Sequence, residues 1–180
     1  MATPPKIYIE SCPFIDMAKE VVGKLPKNRT DDVWFCKQLL NASVADDVSI
    51  YTSSLTIAEC QHAEGICDDD VQRLFNGILT SGQYVVLVQD SILIAEEARN
   101  LLWTHRLKFG GADSVHMASA ISMGCTEFIT SDTAGFLKEP RRTEIFEKLR
   151  INVIRARDTV LLPSSYRQTN LDYGKTSKKN

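Results

Sequence analysis

A chain of 180 residues, 43% hydrophobic and 24% charged, with 9 glycines and 6 prolines, has the make-up of one globular domain with a sizeable core; disordered, collagenous and low-complexity classes are excluded. Lysine plus arginine total 21 against 23 for aspartate plus glutamate, a net charge of −2, so total charge gives no argument for a polyanionic partner. The distribution is uneven: nine acids face Lys37 alone between Asp31 and Asp70, while eleven basic residues face five acids from Lys138 to Asn180, so a polyanion is drawn to the second segment unless both runs are merely solvated faces.

Ile7 to Ile9 is a short β-branched and aromatic run that reads as a strand ending in a turn at Glu10, Ser11, Cys12 and Pro13. Proline suits a first helical position, so a helix is predicted from Pro13 to about Gly23, with a loop around Pro26. Asp31 and Asp32 cap a second helix whose core stripe is Val33, Leu39 and Leu40 with Trp34 and Phe35. Val48 to Thr52 reads as a strand, and Ser53 and Ser54 as N-caps of a helix through Ile57, Ala58 and Glu59. Asp68 to Asp70 open another helix through Val71, Leu74, Phe75 and Ile78. Tyr84 to Val88 is a continuous apolar run of the kind buried on both faces of a sheet.

Ser91 to about Lys108 has helical periodicity through Ile94, Ala98, Leu101 and Leu102, with Gly110 and Gly111 ending it. The helix from Ala112 to Met123 presents Ala112, Val115, Ser119 and Met123 on a narrow face, and Gly124 fits its C-cap. Glu127 to Thr130 reads as a strand, Ser131 to Gly135 as a turn, Thr143 to Leu149 as a helix and Asn152 to Ile154 as the last strand. Strands alternating with helices predict an α/β class domain with a mostly parallel central sheet. Residues 1–162 are assigned to this domain and residues 163–180 to a polar tail, frayed or ordered only by a partner.

No stretch approaches the roughly 18 to 20 apolar residues of a membrane span, and the opening MATPPKIYIESCPF lacks a basic segment followed by an apolar one, so a soluble, cytoplasmic protein is expected. The five cysteines, Cys12, Cys36, Cys60, Cys67 and Cys125, are odd in number and lack C-x-x-C spacing; buried reduced thiols are expected rather than disulfides or a zinc site.

In an open parallel sheet, ligands collect at the carboxyl ends of the strands. Four acids fall there: Glu10 after the first strand, Glu59 in the helix after the second, Asp113 at the start of the alanine-rich helix and Asp132 after the strand Glu127 to Thr130. Each has an ordinary explanation alone, as a strand terminus, a solvated helix residue, an N-cap or an Asx-turn. Together the reading shifts, because IYIESCPFI, SLTIAEC and EFITSD surround three of them with apolar residues. Clustered carboxylates raise one another's pKa unless a cation neutralises them, and an all-oxygen set suits Mg²⁺ or Mn²⁺ rather than zinc.

The succession IYIESCPFID, SSLTIAE and GGADSVHMASAISMGCTEFITSD resembles the PIN-domain ribonucleases, the group that contains the VapC-type toxins of toxin–antitoxin pairs. The resemblance spans roughly residues 7 to 155 and is carried mainly by ADSVHMASA with FITSD. It departs from the family at the first element, where Glu10 stands in place of Asp and Cys12 in place of a small polar residue. The resemblance implies a three-layer α/β/α PIN-like fold and a metal-dependent endoribonuclease that leaves a 5′-phosphate and a 3′-hydroxyl. It further implies that Glu10, Asp113 and Asp132 hold one or two ions of Mg²⁺ or Mn²⁺, with Glu59 completing the acidic rim as a fourth catalytic residue. A small antitoxin protein and a homodimer or higher homo-oligomer are the implied protein partners, with RNA as substrate and no membrane.

Ser11 and Thr130 are candidates to orient water at such a site, and His116, one turn after Asp113, is expected to make a structural hydrogen bond rather than act as a base. His62 and His105 lack metal-ligand spacing. Arg99, Arg106, Lys108, Arg141 and Arg142 are candidates to hold RNA phosphates; Trp103 either stacks on a base or, from its place among Leu101, Leu102 and Leu107, belongs to the core. A different class also fits: a PIN-like RNA- or protein-binding module with weak or no nuclease activity, its metal binding weakened at Glu10 and Cys12. An aspartyl-nucleophile phosphatase needs D-x-D where this chain has E-S-C, and a receiver module needs an acidic pair near Glu10 that is absent from the sequence.

Overall fold

Ile7 and Ile9 turn to one face of the first strand and Tyr8 to the other, and this period of two divides the molecule into two cores. The computed structural model describes residues 3–138 and 140–168, without the side chains of 140–142. Five strands, β1 (Lys6–Ile9), β2 (Ser49–Ser53), β3 (Val86–Val88), β4 (Glu127–Ile129) and β5 (Asn152–Ile154), pair in the order β3-β2-β1-β4-β5. All four pairings are parallel, with Tyr8 opposite Tyr51 on one side and Phe128 on the other. Parallel neighbours need a crossover, and helices supply it.

On the face of Ile7, Ile9, Ile50 and Ile129 lie α1 (Ser11–Val21), α2 (Thr30–Val44) and α4 (Asp69–Phe75), through Phe14, Met17, Val33, Leu39, Leu40, Val71 and Phe75. On the face of Tyr8, Val88 and Phe128 lie α5 (Ile92–Trp103), α6 (Gly111–Ser122) and α7 (Pro140–Lys148), through Ile94, Leu101, Met117, Ala118 and Phe146. The short α3 (Leu55–Glu59) follows β2 at the carboxyl end of the sheet. This is the expected three-layer α/β/α class, with the sheet wholly rather than mostly parallel. The chain adds strands to one side of β1 and then returns to the other, so strand order reverses between β1 and β4 and opens a crevice there.

Several local expectations are corrected. Helix α1 begins at Ser11, because the Glu10 carboxylate accepts from Cys12 N at 2.9 Å; Pro13 still sits in the first turn, where no N–H is missed. Asp31 and Asp32 do not cap α2 but occupy its first turn, and Asp32 is buried against Arg157 at 3.0 Å and Arg155 at 3.7 Å. Asp68 caps α4 as expected by accepting from Val71 N, but the helix stops at Phe75 and widens into a π turn over Asn76–Thr80. The run Tyr84 to Val88 is not buried on both faces. Its strand is three residues long at the edge of the sheet, and Val86 is 51% exposed.

Ser91 caps α5, which ends at Trp103 rather than near Lys108. The stop is made without glycine: Arg106 adopts φ 60°, its N–H donates to Leu102 O, and Leu107 N–H donates to Leu101 O, a turn one residue wider than the Schellman motif. Trp103 is therefore not in the core; it is 59% exposed, with the Arg99 guanidinium 4.5 Å from its ring centroid. Helix α6 is buried through His116, Met117, Ala118, Ser119 and Ala120 rather than along the narrow face, and Gly124, at φ 68°, ends it as predicted. Among the cysteines Cys36, Cys60 and Cys125 are buried, Cys12 is partly buried and Cys67 is exposed, all as free thiols.

Past β5, Tyr166 Oη donates to Asp47 and Arg167 donates to the carbonyls of Thr159 and Leu162, so the chain is held on the fold as far as Arg167. The rest of the tail, residues 169–180, and the Arg141 and Arg142 side chains lie outside the described residues. Among those described, no helix is long and apolar enough to cross a membrane.

Candidate functional site

The carboxyl ends of β1 and β4 carry Glu10 and Asp132, and a single hydroxyl joins them. Thr130 Oγ1 donates to Glu10 Oε1 at 2.8 Å and accepts from Asp132 N at 2.9 Å. Glu10 is 3% exposed; its other oxygen accepts from Cys12 N at 2.9 Å and Ser11 Oγ at 3.2 Å. Burial pushes its carboxyl above the usual glutamate range, against the pull of those donors. Ser11 and Thr130 thus support the Glu10 carboxylate through their hydroxyls, and Ser11 also bonds to Glu59.

Asp132 folds its carboxylate over its own turn: Oδ1 accepts from Ala134 N at 2.9 Å and Oδ2 from Phe136 N at 3.2 Å. A Cβ at Gly135 would lie 2.0 Å from Asp132 Oδ2, so glycine there leaves the Asp132 carboxylate in place. The Asx-turn reading of Asp132 is therefore correct, and it does not compete with the site, because the turn is what fixes the carboxylate at the strand end.

Asp113 sits in the first turn of α6, after the N-cap Gly110, whose N–H its carboxylate accepts. Burial raises its pKa, and the negative charges of Asp132 and, less strongly, Glu59 raise it further, while His116 draws it down. These couplings place Asp113, Asp132, Glu59 and His116 in one electrostatic neighbourhood.

Glu59, the last residue of α3, is held by His116: Nε2 and Oε2 are 2.7 Å apart, and this contact lowers the Glu59 carboxyl below its ordinary range. His116 Nδ1 lies 2.8 Å from Tyr8 Oη, which itself accepts from Ser53 N at 2.8 Å. Both ring nitrogens of His116 are thus engaged, Nδ1 by the Tyr8 phenol and Nε2 by the Glu59 carboxylate. His116 therefore makes the structural bond expected of it, and that bond positions an acid. Ser53 and Ser54 are fixed in turn by Asp90, whose oxygens accept from their hydroxyls at 2.7 and 3.0 Å.

The sequence reading missed this Tyr8, Ser53 and Asp90 support. A tyrosine between two inward-facing isoleucines was the available signal, because a buried phenol needs a partner. It also missed a cleft of about 310 Å³ beside Asp132, whose other wall is Asp16, Lys19 and Arg29. Of the basic residues it singled out, Arg99 stacks on Trp103 along α5 and Arg106 makes the turn that ends that helix.

Among the described residues, no three histidine, cysteine, aspartate or glutamate side chains stand together as a ready metal-binding group. The donor chemistry nonetheless fits a hard ion: Mg²⁺ is usually held by one or two carboxylates, with waters and substrate phosphate filling the remaining positions. Asp113 and Asp132 make such a pair, and the rise of the Asp113 pKa caused by Asp132 is the repulsion that a cation relieves.

The fold and these acids define an open α/β domain with an acidic crevice at its topological switch point. No family model and no curated protein matches the chain. Among solved structures it is similar to a chain of VapBC2 from Rickettsia felis, determined bound to a DNA fragment from its promoter, with 17% identity, a TM-score of 0.50 and coverage of 82% of this chain and 97% of that one. FitAcB from Neisseria gonorrhoeae is also similar, at 16% identity and a TM-score of 0.46, over 85% of this chain and 99% of the other. At these identities the first likeness establishes the fold.

Proposed function

We propose that the protein is a metal-dependent endoribonuclease of the PIN type, acting as the toxin of a toxin–antitoxin pair. The observation that carries this reading is the coupled pair Asp113 and Asp132 at the crevice between β1 and β4, backed by Glu10 and rimmed by Glu59. Asp113 and Asp132 are the residues that would hold Mg²⁺ or Mn²⁺. Glu10, 3% exposed beneath Thr130, Ser11 and Cys12, adds charge from behind them. When bound, the ion supplies Lewis-acid chemistry to a phosphodiester and activates water for attack. The chain's own share is placement: Thr130 fixes the spacing of Glu10 and Asp132, the 134–136 turn fixes the Asp132 carboxylate, and His116 fixes Glu59. The likeness to a VapBC2 chain supports a protein partner of the antitoxin kind, and a homo-oligomer belongs to the same proposal.

Purified protein with Mn²⁺ or Mg²⁺ is expected to cut RNA. Asp113→Asn should lower the rate about a thousandfold, about 4 kcal/mol of barrier, and EDTA should abolish cutting. Equal cleavage by wild type and variant, or cleavage indifferent to EDTA, overturns the reading. A second reading is favoured by one observation, the enclosure of Glu10 by its own donors: a PIN-like module that binds RNA or protein with little or no cutting. RNA binding without metal-dependent products identifies it.

A further inference from the structure

The cleft beside Asp132 has walls of opposite character. Ser131, Asp132 and Thr133 form one, and Lys19 and Arg29 rise from the other with Asp16 between them. Arg29 is the unusual member. Its side chain is 17% exposed, and Nη1 is fully buried without a hydrogen-bond partner among the described residues. The Asp16 carboxylate it faces is 3.9 Å away and also has an oxygen without a donor. A guanidinium that serves only to neutralise a buried carboxylate closes to hydrogen-bond distance, typically about 2.7 to 2.9 Å and often through two bonds. This contact is ionic and leaves Nη1 unpaired, a costly state for a desolvated donor that a small shift of the guanidinium toward an entering acceptor relieves.

Lys19 Nζ lies 3.8 Å from Asp16 and 2.9 Å from Glu64, whose carboxylate is 54% exposed and weakened as a partner by water. Arg155 and Arg157 stand behind and occupy Asp32. Lys19, Arg29, Arg155 and Arg157 therefore face Asp16, Asp32 and Glu64, which leaves this side of the crevice positive by one charge while the Asp113 side is negative.

We propose that Lys19 and Arg29 form a subsite for a backbone phosphate of a single RNA strand, adjacent to the phosphate presented to Asp113 and Asp132. The proposal rests on the nuclease reading above. A planar guanidinium and an ammonium lining one cleft suit a phosphate's oxygens, and the strand then runs from the cationic wall to the acidic crevice.

The test is binding of a short fluorescein-labelled oligouridylate, followed by anisotropy in EDTA over a series of salt concentrations. Wild type, Arg29→Gln, Lys19→Gln and the control Arg73→Gln are compared; Arg73 is 71% exposed on α4 and paired with Asp70. Arg29→Gln and Lys19→Gln are each expected to weaken binding about tenfold and to flatten the slope of log Kd against log salt by about 0.7, the value of one single-strand phosphate contact. Arg73→Gln should keep the wild-type slope. Should Arg29→Gln fail to fold, the Lys19→Gln slope decides. Wild-type binding with unchanged slopes in both cleft variants overturns the subsite and leaves the nuclease reading standing. A lowered melting temperature with an unchanged slope makes Arg29 a neutraliser of Asp16 and also overturns it. Absence of RNA binding by the wild type removes the nuclease reading, and this inference with it.

Discussion

Strand β4 carries a carboxylate at each end, and the two ends behave differently. At its start, Glu127 is 2% exposed and fully engaged: Val160 N donates to Oε1 at 2.9 Å and Thr159 Oγ1 donates to Oε2, which ties the segment after β5 to the base of the sheet. Past its other end, Asp132 is also satisfied by backbone N–H groups, but its charge raises the pKa of Asp113, which Glu59 raises as well. A buried, well-bonded carboxylate is therefore not evidence of a site. The distinguishing feature is the uncompensated second charge, which the fold tolerates at one end of the sheet and avoids at the other.

The comparison is broken if the two ends respond alike to substitution. Glu127→Ala strands a buried hydroxyl and a backbone N–H, and should cost about 3 kcal/mol in urea unfolding while cleavage per folded molecule is retained. Gly135→Ala acts in the opposite sense: its Cβ displaces the tip of the Asp132 side chain, so cleavage should fall about a hundredfold, about 2.7 kcal/mol of barrier, with a smaller loss of stability. Equal losses of stability in both would mean that the Asp132 turn is mere scaffolding.

The smallest effect is a pH dependence. The Asp113 pKa is raised in the fold, so its protonated form is the better tolerated one; the stability it contributes is present below the ordinary aspartate pKa and is lost as pH rises through the folded value. In EDTA, Asp113→Asn should therefore melt about 2 °C above wild type at pH 7, and the gap should close toward pH 3. A gap that widens on acidification reverses the assigned sign.

Patterns that depend on neighbours in the chain were legible. The strand Asn152–Ile154 and the Gly124 stop fall where the sequence placed them, and the β1 and β4 runs lie within one residue of expectation. Long-range pairing was not legible. Nothing in Tyr84 to Val88 says that the strand has a neighbour on one side only, since sheet order is decided by residues far away. Trp103 was misread because three consecutive apolar residues cannot share one helix face: Leu101 is buried, and Leu102 and Trp103 turn outward. The four acids stand out in the sequence by their places after strands and at helix starts, but Thr130 bridging to Glu10 across 120 positions, and His116 reaching Glu59 across 57, leave no local trace. Lys19 and Arg29 were passed over because each looks like any surface cation until α1 and α2 fold together.

The ring of Tyr8 lies flat on Phe128, with centroids 5.2 Å apart and planes 9° from parallel, while its phenol group grips the imidazole that steers Glu59. A side chain at the rim is thereby gauged from the deepest layer of the protein. An alteration at Phe128, which touches none of the acids, would be transmitted along this lever, so the tolerance of the crevice to drift is set by how tightly two aromatic plates are clamped in the interior.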